Sequence, residues 1–243
     1  MSKFPEPPGV AALRNIVPQT IALAADTPLA RIYFAAGPHP SRWNQYRRFG
    51  PTAARWDHHL PDASNAATEQ SRAVLYCAPD VDTCAAEVFQ STRRIDRARN
   101  APGLVVVELR NAVTLLDLRG VFATTMGAST AIHSGPRARA RAWARELYDA
   151  YPDIQGLYYG SSMNGHAPAI VLNDRAERAI PEKPQLHRAL NDDMLVEVLQ
   201  RIALRLSYGL RLMLSAGLLL RNFDHHGDRV QTSRRDDSKG RSV

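Results

Sequence analysis

Tyr76 and Glu87, both within VLYCAPDVDTCAAEVFQ, set a phenol in an apolar run ahead of a carboxylate in the segment that follows. On a helical wheel Val81, Cys84, Ala85, Val88 and Phe89 form the apolar face, and Glu87 falls at its margin. A marginal glutamate is ordinarily a solvated edge; beside a cleft the same neighbours would leave it partly desolvated and chemically useful. Ser161 and Ser162 close another apolar run in GLYYGSSMNGHAPAIVL. No GxSxG elbow surrounds them, so they read as hydrogen-bonding or turn residues rather than nucleophiles. Arg137, Arg141 and Arg145 stand at i, i+4 and i+8, a basic stripe on one helix face behind Ser134-Gly135. Such a stripe is a solvated surface or a seat for phosphate. Asp57-His58-His59 and its repeat Asp224-His225-His226 carry metal-ligating types. The further aspartate motifs of a metal phosphoesterase are missing around them, and no metal site is assigned.

The elements that must position these groups follow from pattern and punctuation. Ala30 to Ala35 (ARIYFA) and Ala73 to Ala78 (AVLYCA) read as strands, separated by a long loop over 36–71 rich in proline and polar residues. Asp80 or Asp82 caps a helix running to about Thr92. Leu104 to Leu109 and Val113 to Leu118 are β-branched-rich and are expected to form a hairpin across Arg110-Asn111. Pro136 opens a helix to about Tyr151, and Ile154 to Gly160 and Ala169 to Leu172 are the last clear strands. Asn191 to Leu206 is an amphipathic helix with Met194, Leu195, Val198, Leu199, Ile202 and Leu206 on its apolar face, continuing towards Leu220. Residues 1–27 read as an arm with one helical turn, 28–180 as the main body, 181–221 as a helical extension and 222–243 as a disordered tail. Strands and helices do not alternate regularly, so the fold class is α+β rather than doubly wound.

The 243 residues are 44% hydrophobic and 23% charged, enough for a sizeable core and unlike collagen, coiled coil or a wholly disordered chain. Net charge is +7, and of the 31 basic residues all but Lys3, Lys183 and Lys239 are arginine. Guanidinium forks suit phosphates and carboxylates, although codon composition alone would give the same bias. Cys77 and Cys84 make neither a disulfide framework nor a zinc site. No charged leader with an apolar run begins the sequence, and the apolar stretch from Leu212 to Leu220 is too short to cross a bilayer. The expectation is a soluble cytoplasmic protein with no membrane contact.

Five stretches in order resemble the RES-domain family: RIY at 31–33, ARWDHH at 54–59, VLYCAPDVDTCAAEVFQ at 74–90, LLDLRG at 115–120 and GLYYGSSM at 156–163. The resemblance covers roughly residues 28–180, and ASTAIHSGPRARARAWARELYDAYPD (128–153) is similar to a larger-bodied branch. It implies a compact β-rich core similar to ADP-ribosyltransferases and an activity that cuts NAD between nicotinamide and ribose. NAD is then a substrate, and no cofactor is needed. Carried over by motif, the implied catalytic residues are Arg55, Tyr76, Glu87 and Ser161, and Arg31 matches the first strand motif as a substrate-binding arginine; Tyr33, Ser162 and, from the basic stripe, Arg137 are further candidates for binding substrate. Asp57 stands where the family's toxins usually carry asparagine, and the helices after residue 191 have no counterpart in the short toxins. The acceptor stays open between water, phosphate and a protein side chain. The best-understood members are toxins of bacterial toxin–antitoxin pairs, so an antitoxin is an expected partner; self-association stays open.

A second class, a basic nucleic-acid-binding or RNA-cleaving protein, draws on the net charge and the arginine stripe. Aromatic content of 7%, interspersed acidic residues and the lack of a recognisable RNA-binding motif count against it.

Overall fold

The structure is a computed structural model describing residues 3–211. The tail expected at 222–243, the helix continuation from 212 to Leu220 and the Asp224-His225-His226 triplet lie outside the described residues. In chain order the first elements are α1 (Val10–Arg14), β1 (Thr20–Leu23), β2 (Pro28–Phe34), β3 (Arg47–Gly50), β4 (Thr68–Cys77) and α2 (Val81–Val88). There follow β5 (Arg94–Asp96), β6 (Pro102–Glu108), β7 (Val113–Asp117), α3 (Phe122–Thr125) and α4 (Arg137–Ala150). The last are β8 (Gly156–Gly160), β9 (Pro168–Asn173), β10 (Leu186–Ala189), α5 (Val196–Leu206) and β11 (Gly209–Arg211). The class is α+β, as the irregular order of strand and helix signals implies.

A six-stranded sheet runs β1-β7-β8-β9-β4-β3, parallel only between β7 and β8. A three-stranded antiparallel sheet runs β10-β6-β2. The two meet at Ala30 and Ala78, whose amides and carbonyls bond reciprocally at 2.8 and 2.9 Å. This junction brings Arg31 of β2 beside Tyr76 of β4, so strands far apart in sequence supply one site.

The period-2 alternation of strands decides what lies on each side. Ala73, Leu75 and Cys77 of β4 join Val105, Val107, Ile170 and Leu172 in one apolar cluster. Val74 and Tyr76 turn the other way, towards Trp143 and Leu147 of α4. A third cluster packs Cys84 and Ala85 of α2 against Ile32 and Leu104 and against Leu199 and Ile202 of α5.

Several expectations change. Leu104–Leu109 and Val113–Leu118 do not form a hairpin: β6 pairs with β2 and β10, whereas β7 pairs with β1 and β8. The link between them crosses from one sheet to the other, with Leu109 bonded to the backbone of Asp26 and Thr27 and Arg110 to Ala179. The 36–71 loop contains β3 and the start of β4. Residues 1–27 are more than an arm, because Phe4 and Leu13 enter the α4 core and Thr20–Leu23 is an edge strand on β7. The described part of the 181–221 extension, to residue 211, is likewise knitted in, through β10 on β6 and α5 on α2. α2 ends at Val88 rather than Thr92. The last helix begins at Val196 after a 3-10 turn, which leaves Met194 72% exposed instead of on the buried face. It stops at Leu206, where Ser207 takes a left-handed φ of 54° and the chain returns as β11 against β5.

Candidate active site

α2 is placed by its ends and its small residues. The Asp80 carboxylate accepts from the Thr83 amide at 2.6 Å and its hydroxyl at 3.0 Å, capping the helix as the sequence suggests. Ala85 and Ala86, fully buried, let the helix approach the sheets closely. Glu87 is then left half-buried at the helix margin, on the wall of a cavity of about 370 Å³.

Ser161, wholly buried just beyond β8, donates its hydroxyl hydrogen to Glu87 Oε1 at 2.5 Å. Its Oγ accepts from the amides of Met163 and Asn164, both at 3.1 Å. Two amides pulling on that oxygen make the hydroxyl a better donor, so it holds and polarises the carboxylate. Asn164 closes the circuit by donating from Nδ2 to Thr83 Oγ1 at 2.9 Å on α2. The neighbouring serines therefore have distinct places: Ser161 touches Glu87 from behind, whereas Ser162 is exposed and lines the cavity.

The rest of the lining comes from β2, β4 and the segment around residue 55. Arg31 and Tyr33 on β2 both line the cavity. Arg31 donates from one terminal nitrogen to the Tyr76 carbonyl at 2.9 Å, and burial lowers its pKa from the free value. The Tyr33 hydroxyl lies 2.6 Å from His187 Nε2 on β10. Tyr76 presents its ring, and burial pushes its phenol well above the usual range, so it stays protonated. Arg55 donates to the Gly135 carbonyl at 2.7 Å. Its pKa is lowered by burial first and by Arg137 second, with Glu87 opposing them. Arg137, exposed at the start of α4, donates to Gln90 Oε1 at 2.7 Å. Arg141 and Arg145 of the stripe are half-buried further along the helix and do not line the cavity. Each cavity arginine spends part of its five-donor fork on the protein and keeps the remainder for a ligand.

Asp57-His58-His59 does different work. Asp57 is fully buried; its Oδ1 accepts from His59 N at 3.1 Å and sits 2.5 Å from His59 Nδ1. Its Oδ2 accepts from the amide and hydroxyl of Thr52 at 2.6 and 2.7 Å and lies 3.0 Å from the Arg47 guanidinium. Burial alone would raise this carboxyl's pKa; His59, Arg47 and Thr52 override it and hold it well below the usual range. His58 stacks on Tyr148 at 4.3 Å, away from the carboxylate of Asp57. The triplet pins the segment that carries Arg55 and Trp56.

Sequence reasoning did not single out Trp56, His133, Tyr159 or the cysteines as cavity residues, yet all line it. Trp56 had one signal, adjacency to Arg55; His133 and Tyr159 had none. Burial pushes the Cys77 thiol up to about 12 and Cys84 higher still, which keeps both protonated and poorly nucleophilic.

An α+β chain with a half-buried carboxylate clamped by a serine, sharing one cavity with arginines and aromatic rings, defines the class of site. A family model, the RES domain, matches residues 18–192, and the chain belongs to that family. A search of curated proteins finds no match. Among solved structures, a chain of the M. tuberculosis MbcT-MbcA toxin–antitoxin complex is similar, at 14% identity and a TM-score of 0.48 over 74% of this chain and 91% of that one. No helix among the described residues is long and apolar enough to cross a membrane.

Proposed function

We propose that this protein degrades NAD by breaking the bond between nicotinamide and ribose, and that it acts as the toxin of a toxin–antitoxin pair. The observation that carries the reading is the Glu87 carboxylate, bonded at 2.5 Å by Ser161 and facing an arginine-lined cavity.

In this reaction the C1′–N bond breaks, and its electron pair returns to the pyridinium nitrogen, so nicotinamide leaves neutral and needs no strong acid. Positive charge grows on the ribose, as in glycoside hydrolysis, and a carboxylate beside it stabilises the transition state. Glu87 takes that role, with Ser161 fixing which way the carboxylate faces. Arg31 and Arg55 hold the pyrophosphate with the donors that Tyr76 and Gly135 leave free, assisted by Arg137 at the rim. Tyr76 packs on the nicotinamide or the ribose. An acceptor oxygen then bonds to C1′ and gives up its proton: water yields ADP-ribose, phosphate its phosphorylated counterpart, a protein side chain an ADP-ribosylated product.

The test is NAD consumption by the purified protein, with nicotinamide and the ribosyl product resolved, run with and without phosphate and beside Glu87→Gln. Nicotinamide release that vanishes in the variant supports the reaction class, and the second product names the acceptor. Expression in bacteria is expected to arrest growth, and Glu87→Gln to relieve it. Undiminished nicotinamide release by Glu87→Gln would remove Glu87 from its role.

A further inference from the structure

Trp56 and His133 are almost wholly buried and both line the cavity, their rings edge to face at 6.5 Å. Trp56 also tilts against Tyr159, with ring centroids 5.3 Å apart. The indole can only donate, and Trp56 Nε1 has no hydrogen-bond partner among the described residues. His133 Nε2 lies 3.0 Å from the Leu118 carbonyl. A carbonyl can only accept, so Nε2 carries the ring proton. Burial, against the opposing Leu118 hydrogen bond and aided by His166 and then Arg55, lowers the imidazole's pKa and favours its neutral form. His133 Nδ1 is then an acceptor, and it too has no partner. Two adjoining rings of the lining thus hold one unspent donor and one unspent acceptor, both shielded from water, an arrangement that is costly unless a ligand that turns the rings towards the cavity completes it.

We propose that Trp56 and His133 read the carboxamide of the leaving base: its carbonyl accepts from Trp56 Nε1, and its amide N–H is donated to His133 Nδ1. This rests on the NAD-cleaving reading of the same cavity and adds what selects the substrate. The Watson–Crick edge of adenine offers the same adjacent acceptor and donor. The nicotinamide end fits better because this aromatic wall adjoins the carboxylate. Tyr159, packed on Trp56, has its phenol raised by burial and next by the charge of Glu87, and Glu87 also acts on Arg55, the residue before Trp56. A base bound there sits at the bond to be broken.

The experiment compares kcat/KM for NAD, for its nicotinic acid analogue and for its hypoxanthine analogue, in the wild type, Trp56→Phe and His133→Gln. A carboxylate in place of the carboxamide has no N–H to donate and meets the His133 lone pair, so the nicotinic acid analogue is expected to be roughly 10²-fold poorer. His133→Gln should cut that preference by about tenfold while leaving the hypoxanthine analogue's ratio to NAD unchanged; Trp56→Phe removes a donor that both nicotinoyl forms would use, so it should lower kcat/KM for the acid analogue at least as much as for NAD and leave the preference for the amide intact. A general loss of packing would lower all three substrates together, so the ratio separates recognition from structure. Equal use of the two nicotinoyl dinucleotides by the wild type, or an unchanged preference in His133→Gln, overturns the proposal. So does a preference that fails on the hypoxanthine analogue instead, which would place adenine on this wall. Nicotinamide and nicotinic acid, titrated alone by NMR, separate the two levels. Selective nicotinamide binding lost in His133→Gln without NAD turnover keeps the pocket and removes the catalytic reading; no binding and no turnover removes both.

Discussion

Asp57, next in the chain to the cavity residue Trp56, and Glu87, itself on the cavity wall, are two carboxylates held in opposite ways. Asp57 is fully buried with both oxygens occupied, by His59, Thr52 and the nearby Arg47. Glu87 is half-buried and, among the described residues, its side chain receives one hydrogen bond, from Ser161. A saturated carboxylate has no lone pair left for a substrate and can only fix the backbone around it. A carboxylate held at one oxygen beside an open cavity is oriented yet still available to a developing charge. The same functional group thus serves as a rivet behind the cavity and is left with a free oxygen on its wall.

Substitution should separate the two. Glu87→Gln keeps shape and loses charge, and is expected to slow nicotinamide release by about 10²–10⁴-fold, roughly 3–5 kcal/mol of barrier. Its thermal midpoint should stay close to that of the wild type. Asp57→Ala is expected to do the reverse first: it strands the Arg47 guanidinium and the His59 ring and costs about 3–5 kcal/mol of stability by analogy with other broken buried pairs. Denaturant unfolding of both variants checks this. A Glu87→Gln protein as unstable as Asp57→Ala would erase the distinction.

The two settings also differ in how far the sequence disclosed them. The Asp80 cap, the marginal place of Glu87 on α2 and the strand carrying Tyr76 follow from local periodicity and spacing, which short-range contacts obey. Residues singled out in separate stretches, Arg31, Tyr33, Arg55, Tyr76, Glu87, Arg137 and Ser162, line one cavity, and Ser161 bonds to Glu87 just behind it. Their convergence was not readable from spacing, because it depends on β2 meeting β4 at Ala30 and Ala78. The same blindness produced the false hairpin at 104–118: two β-branched runs with a short link pair locally unless other strands claim them, and β2, β10, β1 and β8 do. Asp57-His58-His59 carried metal-ligating residue types but not the information that Thr52 and Arg47 would fold back onto the aspartate. His133 entered the cavity wall with no sequence signal, placed by a bond to the Leu118 carbonyl.

Acid should act on the wall behind Asp57 before it reaches the carboxylates. His58 is buried against Tyr148, and its pKa is lowered from 6.5, burial being the largest cause, although Asp174 opposes it. A histidine whose folded pKa lies below its unfolded one stabilises fully above the unfolded value and loses that contribution as pH falls through it. Stability is therefore expected to decline as pH drops from about 7 towards 5, and His58→Gln to flatten that slope. Denaturant midpoints at several pH values are the measurement; an identical slope in the variant would place the acid sensitivity elsewhere, with His133 the next residue to change.

The smallest expected effect lies at the rim. Arg137 is exposed, and its fork is partly spent on Gln90, so whatever it gives a pyrophosphate is weakened by water and salt. Exposed ionic contacts are worth a few tenths to about 1 kcal/mol, so Arg137→Gln should raise the KM for NAD about two- to fivefold. The same contact persists into the transition state, so kcat should hold, in contrast to Glu87→Gln, where kcat carries the loss. Raising the salt concentration should shrink the difference between wild type and Arg137→Gln. A fall in kcat instead would move Arg137 from the rim into the reacting centre, and its Coulombic coupling to Arg55, which touches Glu87 electrostatically, would be the route.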